Sequence, residues 1–178
     1  MDTNDLDKYK ANLDWFNLFF QDIKQLLDRI ADRLAPDFAQ AGTSFYYPKS
    51  NYSPSIPSYL LMGLGGESTA LQIFAAIDPE IIGNNKYFKP EPSLFIINHS
   101  EKEKYLYVAG YGLNVIQNKS EDFDEIEDGV ISGRIPGNEE VHFQAFQVPL
   151  SLFTTDRKVD EIIHERIVNV IYRLPENN

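Results

Sequence analysis

Nine apolar residues near the start of the chain, Leu6, Tyr9, Leu13, Phe16, Phe20, Ile23, Leu27, Ile30 and Leu34, follow one another at spacings of three and four without a break. Residues at those spacings share one face of a helix, whereas a strand would scatter them over two faces. The repeat therefore predicts a long amphipathic helix over 5–35. Thr3 or Asn4 can cap its start, Asp5 and Asp7 suit the positive end of its dipole, and Pro36 stops it. Unbroken, it would be roughly 45 Å long; Asn12 and Asp14 each offer a cap for a second helix should it break there. Phe19 and Leu26 widen the stripe, which suits a helix lying on a sheet better than a two-stranded coil. Ala11, Trp15 and Leu18 form a second apolar patch away from that stripe. Either the C-terminal helix covers it, or it meets a partner or a second copy, since tryptophan is a common interface anchor.

The middle of the chain, 41–153, reads as an antiparallel sheet of about six strands. Residues 41–58 are expected to be an ordered loop with short extended pieces, because Pro48, Pro54 and Pro57 keep it out of helix and out of a central strand. Ser58–Gly63 and Ala70–Ile77 flank Gly65-Gly66-Glu67-Ser68, a hairpin signal. Ser93–Asn98 and Lys104–Tyr111 suggest a second hairpin, and Val130–Ile135 and Val141–Val148 a third. A last helix is expected over 156–174, capped by Thr154 or Thr155 and closed by Pro175. Its buried face would hold Val159, Ile162, Ile163, Ile167, Val170, Ile171 and Leu174. Strands grouped between two helices, without strand–helix alternation, point to a single α+β domain over 1–178. Both helices would pack on one face of the sheet.

Catalytic and cofactor motifs fail on spacing. Gly63-Leu64-Gly65-Gly66-Glu67-Ser68 has serine where a dinucleotide fingerprint needs its third glycine, and it leads into a strand. Lys119-Ser120 lacks the glycines of a phosphate loop. Glu161 and His164 stand one turn apart as in di-iron bundles, but no second copy of the pair exists. Val168 stands where a His-Glu-x-x-His zinc site needs its second histidine. Asp156-Arg157-Lys158 matches only a fragment of a metal-nuclease pattern and reads better as a helix start. Glu121–Asp128 holds six acids in eight residues, yet Ile126 falls on a ligand position in each calcium-loop register. A solvated acidic run is the simpler reading, with docking to a basic protein patch as its functional counterpart.

The chain has no cysteine, which removes disulfides, thiolate catalysis and cysteine-based metal sites. A net charge of −11 without a basic cluster argues against nucleic acid and anionic membranes. The acidic first residues are unlike a secretion signal and no apolar run is long enough to span a bilayer, so a cytoplasmic location is expected. No metal and no cofactor is expected. Tyr105, Tyr107 and Tyr111 alternate and would share one sheet face, a platform for a ligand or partner. Tyr46, Tyr47, Tyr52 and Tyr59 sit in a Tyr/Ser/Pro segment with the composition of recognition loops. The favoured expectation is a non-enzymatic, acidic interaction module (adaptor, regulator, inhibitor or chaperone-like) acting as a homodimer or on a protein partner. The alternatives are a small hydrolase built around His99 and His142, with Glu101, or a small-ligand sensor using the tyrosine face.

Overall fold

A computed structural model describes residues 3–46, 59–66, 69–82, 85–100, 109–117, 123–125, 129–135 and 138–173. Helix α1 (Thr3–Leu34) runs unbroken past Asn12 and Asp14. Its described apolar side chains Ile23, Leu26, Leu27, Ile30, Ala31 and Leu34 are buried. Seven strands follow: β1 (Ala39–Tyr46), β2 (Tyr59–Gly65), β3 (Ala70–Ala76), β4 (Ser93–His99), β5 (Asp124–Glu125), β6 (Ile131–Ile135) and β7 (Asn138–Pro149). Helix α2 (Ala109–Gln117) lies between β4 and β5 in the chain, and the C-terminal helix begins at Asp156. The strands form one antiparallel sheet in the order β1-β2-β3-β4-β7-β6-β5, so β4 sits between β3 and a strand that comes much later. The α+β class with an antiparallel sheet is as the sequence implied, with seven strands among the described residues where about six were expected.

Two local expectations are corrected. The partner of β4 is β7 and not a strand over 104–111, because 109–117 is helical. Residues 104–108 of that expected strand lie outside the described residues. The segment expected to be loop from 41 begins as strand β1, which pairs with β2 through a register shift between Gln40 and Gly42. It is an edge strand of weak formers held by a strongly apolar neighbour, and 47–58 lie outside the described residues.

Both terminal helices pack on one face of the sheet as expected, and the other face is covered as well. The first face of the sheet carries Leu60, Met62, Leu64, Leu71, Ile73, Leu94, Ile96, Phe146 and Val148, packed against α1 and against Ile163, Ile167 and Ile171 of the C-terminal helix. The other face carries Tyr59, Leu61, Phe74, Phe95, Ile97 and Phe143, packed against Val115 and Ile116 of α2, Ile82, Phe88 and Phe123. The strands are apolar at both parities, and such runs belong to a sheet covered on both sides. Packing on one face alone leaves that second core out.

The C-terminal helix is not uniform: α3 (Asp156–Ile162) leads into a π-helical segment (Ile163–Val168) and then α4 (Asn169–Arg173). Ile163, Ile167 and Ile171 are spaced by four residues, more than the 3.6 of an α-helical turn. A strictly α-helical path would turn the row by about 40° at each step. The wider π turn absorbs the excess and keeps all three in the core.

Helix α2 is seated by glycine and by a side-chain cap. A Cβ at Gly112 would stand 2.4 Å from Phe74 Cε2 and 2.6 Å from Gln72 Oε1, so only glycine lets the helix come this close to β3. Asn85 Nδ2 donates to the carbonyls of Val115 (3.1 Å) and Ile116 (2.7 Å), which closes the helix's C-terminal end. Gly112→Ala is expected to cost about 1–3 kcal/mol through overpacking. A urea midpoint equal to that of the wild type would show that α2 is not held at this distance.

Candidate functional site

One cleft of about 480 Å³ opens between α1 and the connection from β7 to α3. Its α1 wall is Phe19, Ile23 and Leu26, and its opposite wall is Leu150, Phe153 and Val159. Asp22, Gln25, Arg29, Thr154 and Thr155 supply its polar atoms. Both walls are fixed by backbone. Leu150 N donates to Pro92 O at 2.9 Å, tying the start of the connection to the sheet, and Phe153 N donates to Leu150 O at 3.1 Å. Thr155 caps α3, its hydroxyl accepting from Lys158 N at 3.4 Å. The described residues lining the cleft include neither histidine nor cysteine, and Asp22 is the one carboxylate among them. They can receive apolar groups with a polar border, which is a recognition chemistry.

Leu18 stands beside this cleft and is 60% exposed, the largest exposure among the described large apolar side chains. The C-terminal helix therefore does not cover it. At α1's helical spacing, Ala11, Trp15 and Leu18 continue toward the N-terminus the row that Asp22, Gln25 and Arg29 form along the cleft. The side chains of Ala11 and Trp15 lie outside the described residues. Leu152, next to Phe153 in the chain, is 38% exposed.

The tyrosines do not assemble into a platform among the described residues. Tyr59 is 2% exposed in the second core, its ring 5.4 Å from that of Phe74. Tyr46 ends β1 opposite Tyr59 in the register. Tyr111 belongs to helix α2, so the period-two argument linking it to Tyr105 and Tyr107 fails. Tyr47, Tyr52, Tyr105 and Tyr107 lie outside the described residues.

His99 and His142 are kept apart. His99 pairs with Phe143 across the β4–β7 ladder, so His142, one residue earlier, faces the other side of the sheet. The His99 ring is fully buried, 3.0 Å from Gln72 Oε1 through Nε2. Burial pulls its pKa down from 6.5 to about 4, so the imidazole is neutral at neutral pH. His142 instead uses its backbone: its N–H donates to Ser100 Oγ at 3.1 Å, and its carbonyl accepts from Ser100 N at 3.0 Å. Two rings on opposite faces cannot serve one substrate. Glu101 lies outside the described residues.

The described part of the acidic run, 123–125, is anchored by an aromatic residue that sequence reasoning passed over. Phe123 is buried, and its ring meets that of Phe143 edge-on at 5.0 Å. The Tyr87 hydroxyl donates to Phe123 O (2.7 Å) and accepts from Phe123 N (2.8 Å). Phe123, one of two apolar residues among six acids, was the available signal. Among the described residues no three histidines or carboxylates gather where they could hold a metal ion. No described helix is long and apolar enough to cross a membrane. Compared with known proteins, the chain matches no family model, no curated protein and no solved structure.

Proposed function

We propose that this protein is a non-enzymatic interaction module, of adaptor, regulator, inhibitor or chaperone-like kind, that self-associates through helix α1. The observation that carries the reading is Leu18, 60% exposed on a helix whose neighbouring turn borders an apolar cleft. An exposed leucine alone is ordinary. This one continues Ala11 and Trp15 along one helical row and adjoins a groove with apolar walls, the pattern of a contact surface. The titratable groups weigh on the same side. His99 is sealed in the core and neutral, and the described lining of the cleft holds no histidine.

Sedimentation of the wild type and of a Trp15→Glu/Leu18→Glu variant tests the reading. The wild type is expected to be a dimer at tens of micromolar, and the variant a monomer with an unchanged circular dichroism spectrum. A monomeric wild type at that concentration overturns the proposal.

A further inference from the structure

We propose that the cleft between α1 and the β7–α3 connection is filled by the N-terminal half of α1 from a second copy, each copy filling the other's cleft. The proposal rests on self-association through α1 and adds the seat, the occupant and the direction. The first argument is length. Helix α1 has 32 residues, about 48 Å at the α-helical rise. The strands beneath it that carry most of the first core have seven residues each, about 23 Å at the strand rise. The described side chains of α1 start at Leu18, which is exposed, followed by half-buried Phe19 and Phe20. The apolar repeat nevertheless continues N-terminally through Phe16, Leu13, Tyr9 and Leu6, more helix than a sheet of that length can cover.

The second argument is continuity. The row Ala11, Trp15, Leu18, Asp22, Gln25 and Arg29 is apolar in its first half and lines the cleft in its second. A twofold axis crossing α1 near Phe20, with the helices antiparallel, brings each apolar half against the other copy's cleft half. Leu18 then stands beside Asp22 of the second copy, Trp15 beside Gln25, and Ala11 beside Arg29. Phe153 and Leu26 line the cleft beside Gln25 and Arg29.

Charge is the third argument. The same alignment sets Asp7 opposite Arg33 of the second copy and Lys8 opposite Asp32, and symmetry repeats both pairs. Opposite charges bordering an apolar seam fix register and direction more than affinity. Two chains of net charge −11 thus meet with opposite charges paired at both ends of the seam.

The absence of cysteine makes a clean test. Under mild oxidation an Ala11→Cys/Arg29→Cys double variant is expected to form a covalent dimer, while each single variant forms none. In the otherwise cysteine-free chain, Phe153→Lys, which blocks the cleft without touching the N-terminal half of α1, is expected to weaken dimerisation at least tenfold in sedimentation. A wild-type dimer that neither crosslinks through the 11/29 pair nor responds to Phe153→Lys overturns the seating and leaves self-association standing. Crosslinking by Trp15→Cys alone would place the axis at Trp15, with the patch against itself, and would also overturn it. A wild type monomeric at tens of micromolar overturns both readings together.

Discussion

Phe74→Ala is expected to lower the unfolding free energy by about 3–5 kcal/mol, the range for a fully buried aromatic cut back to a methyl group. Phe74 has no solvent exposure, its ring lies 5.4 Å from that of Tyr59, and its edge is the surface on which Gly112 of α2 rests. The cavity would open under a glycine with no side chain to move into it, so little relaxation can offset the loss. Urea unfolding read at the midpoint, with the slope unchanged, gives the value. A loss below about 1 kcal/mol would mean that the second face of the sheet is not a packed core. Phe20→Ala should cost clearly less, because Phe20 is only half-buried at the margin of the first core.

The second large effect is set by pH. The His99 imidazole has a pKa of about 4 in the folded chain against 6.5 when unfolded, because burial penalises its charged form. As pH falls below 6.5, the unfolded chain takes up a proton that the native state refuses, and stability falls until about pH 4. Below that, both states are protonated and the loss stops. At 1.36 kcal/mol per unit, the full contribution is about 3 kcal/mol. Carboxylates titrate in the same range, so the effect is read as a difference between wild type and His99→Gln, which keeps an N–H donor for Gln72 Oε1. The variant should be relatively more stable at pH 4.5 than at pH 7.5. A difference that stays constant across that range would show that His99 does not titrate as a buried group.

Much of the first core is written in periodicity. Ile23, Leu27, Ile30 and Leu34 are buried where the repeat puts them, and the turn around Gly65 and Gly66 joins the strands expected on either side. The second core was legible too, in runs such as Leu94-Phe95-Ile96-Ile97, where both parities are apolar and one-sided burial would waste half of them. Helix α2 was not. Ala109-Gly110-Tyr111-Gly112 carries two glycines, and Val115-Ile116 favours strand, so local propensity opposes the structure formed. Contact with Phe74 and the cap from Asn85, thirty residues away from Val115, override it. The only local trace is Gly112, Val115 and Ile116 at helical spacing. The cleft was half visible: its α1 wall lies in the repeat, but Leu150 and Phe153 reach it through a short turn pinned to Pro92. That pairing of distant segments leaves no periodic mark.

The order of the sheet also bears on how the chain comes off the ribosome. Strands β1 to β4 can zip together as each emerges, since every one pairs with its predecessor. β4 then has a finished edge on one side and none on the other until β7 arrives. Synthesis must pass through α2 and two further strands before that edge closes, and the C-terminal isoleucines that complete the first core come later still. Nascent chains therefore carry an open central strand with the apolar run Leu94–Ile97 for seconds at typical elongation rates. Chains cut short before Asn138 keep it permanently, with the sticky edge that leads strands of neighbouring molecules to pair.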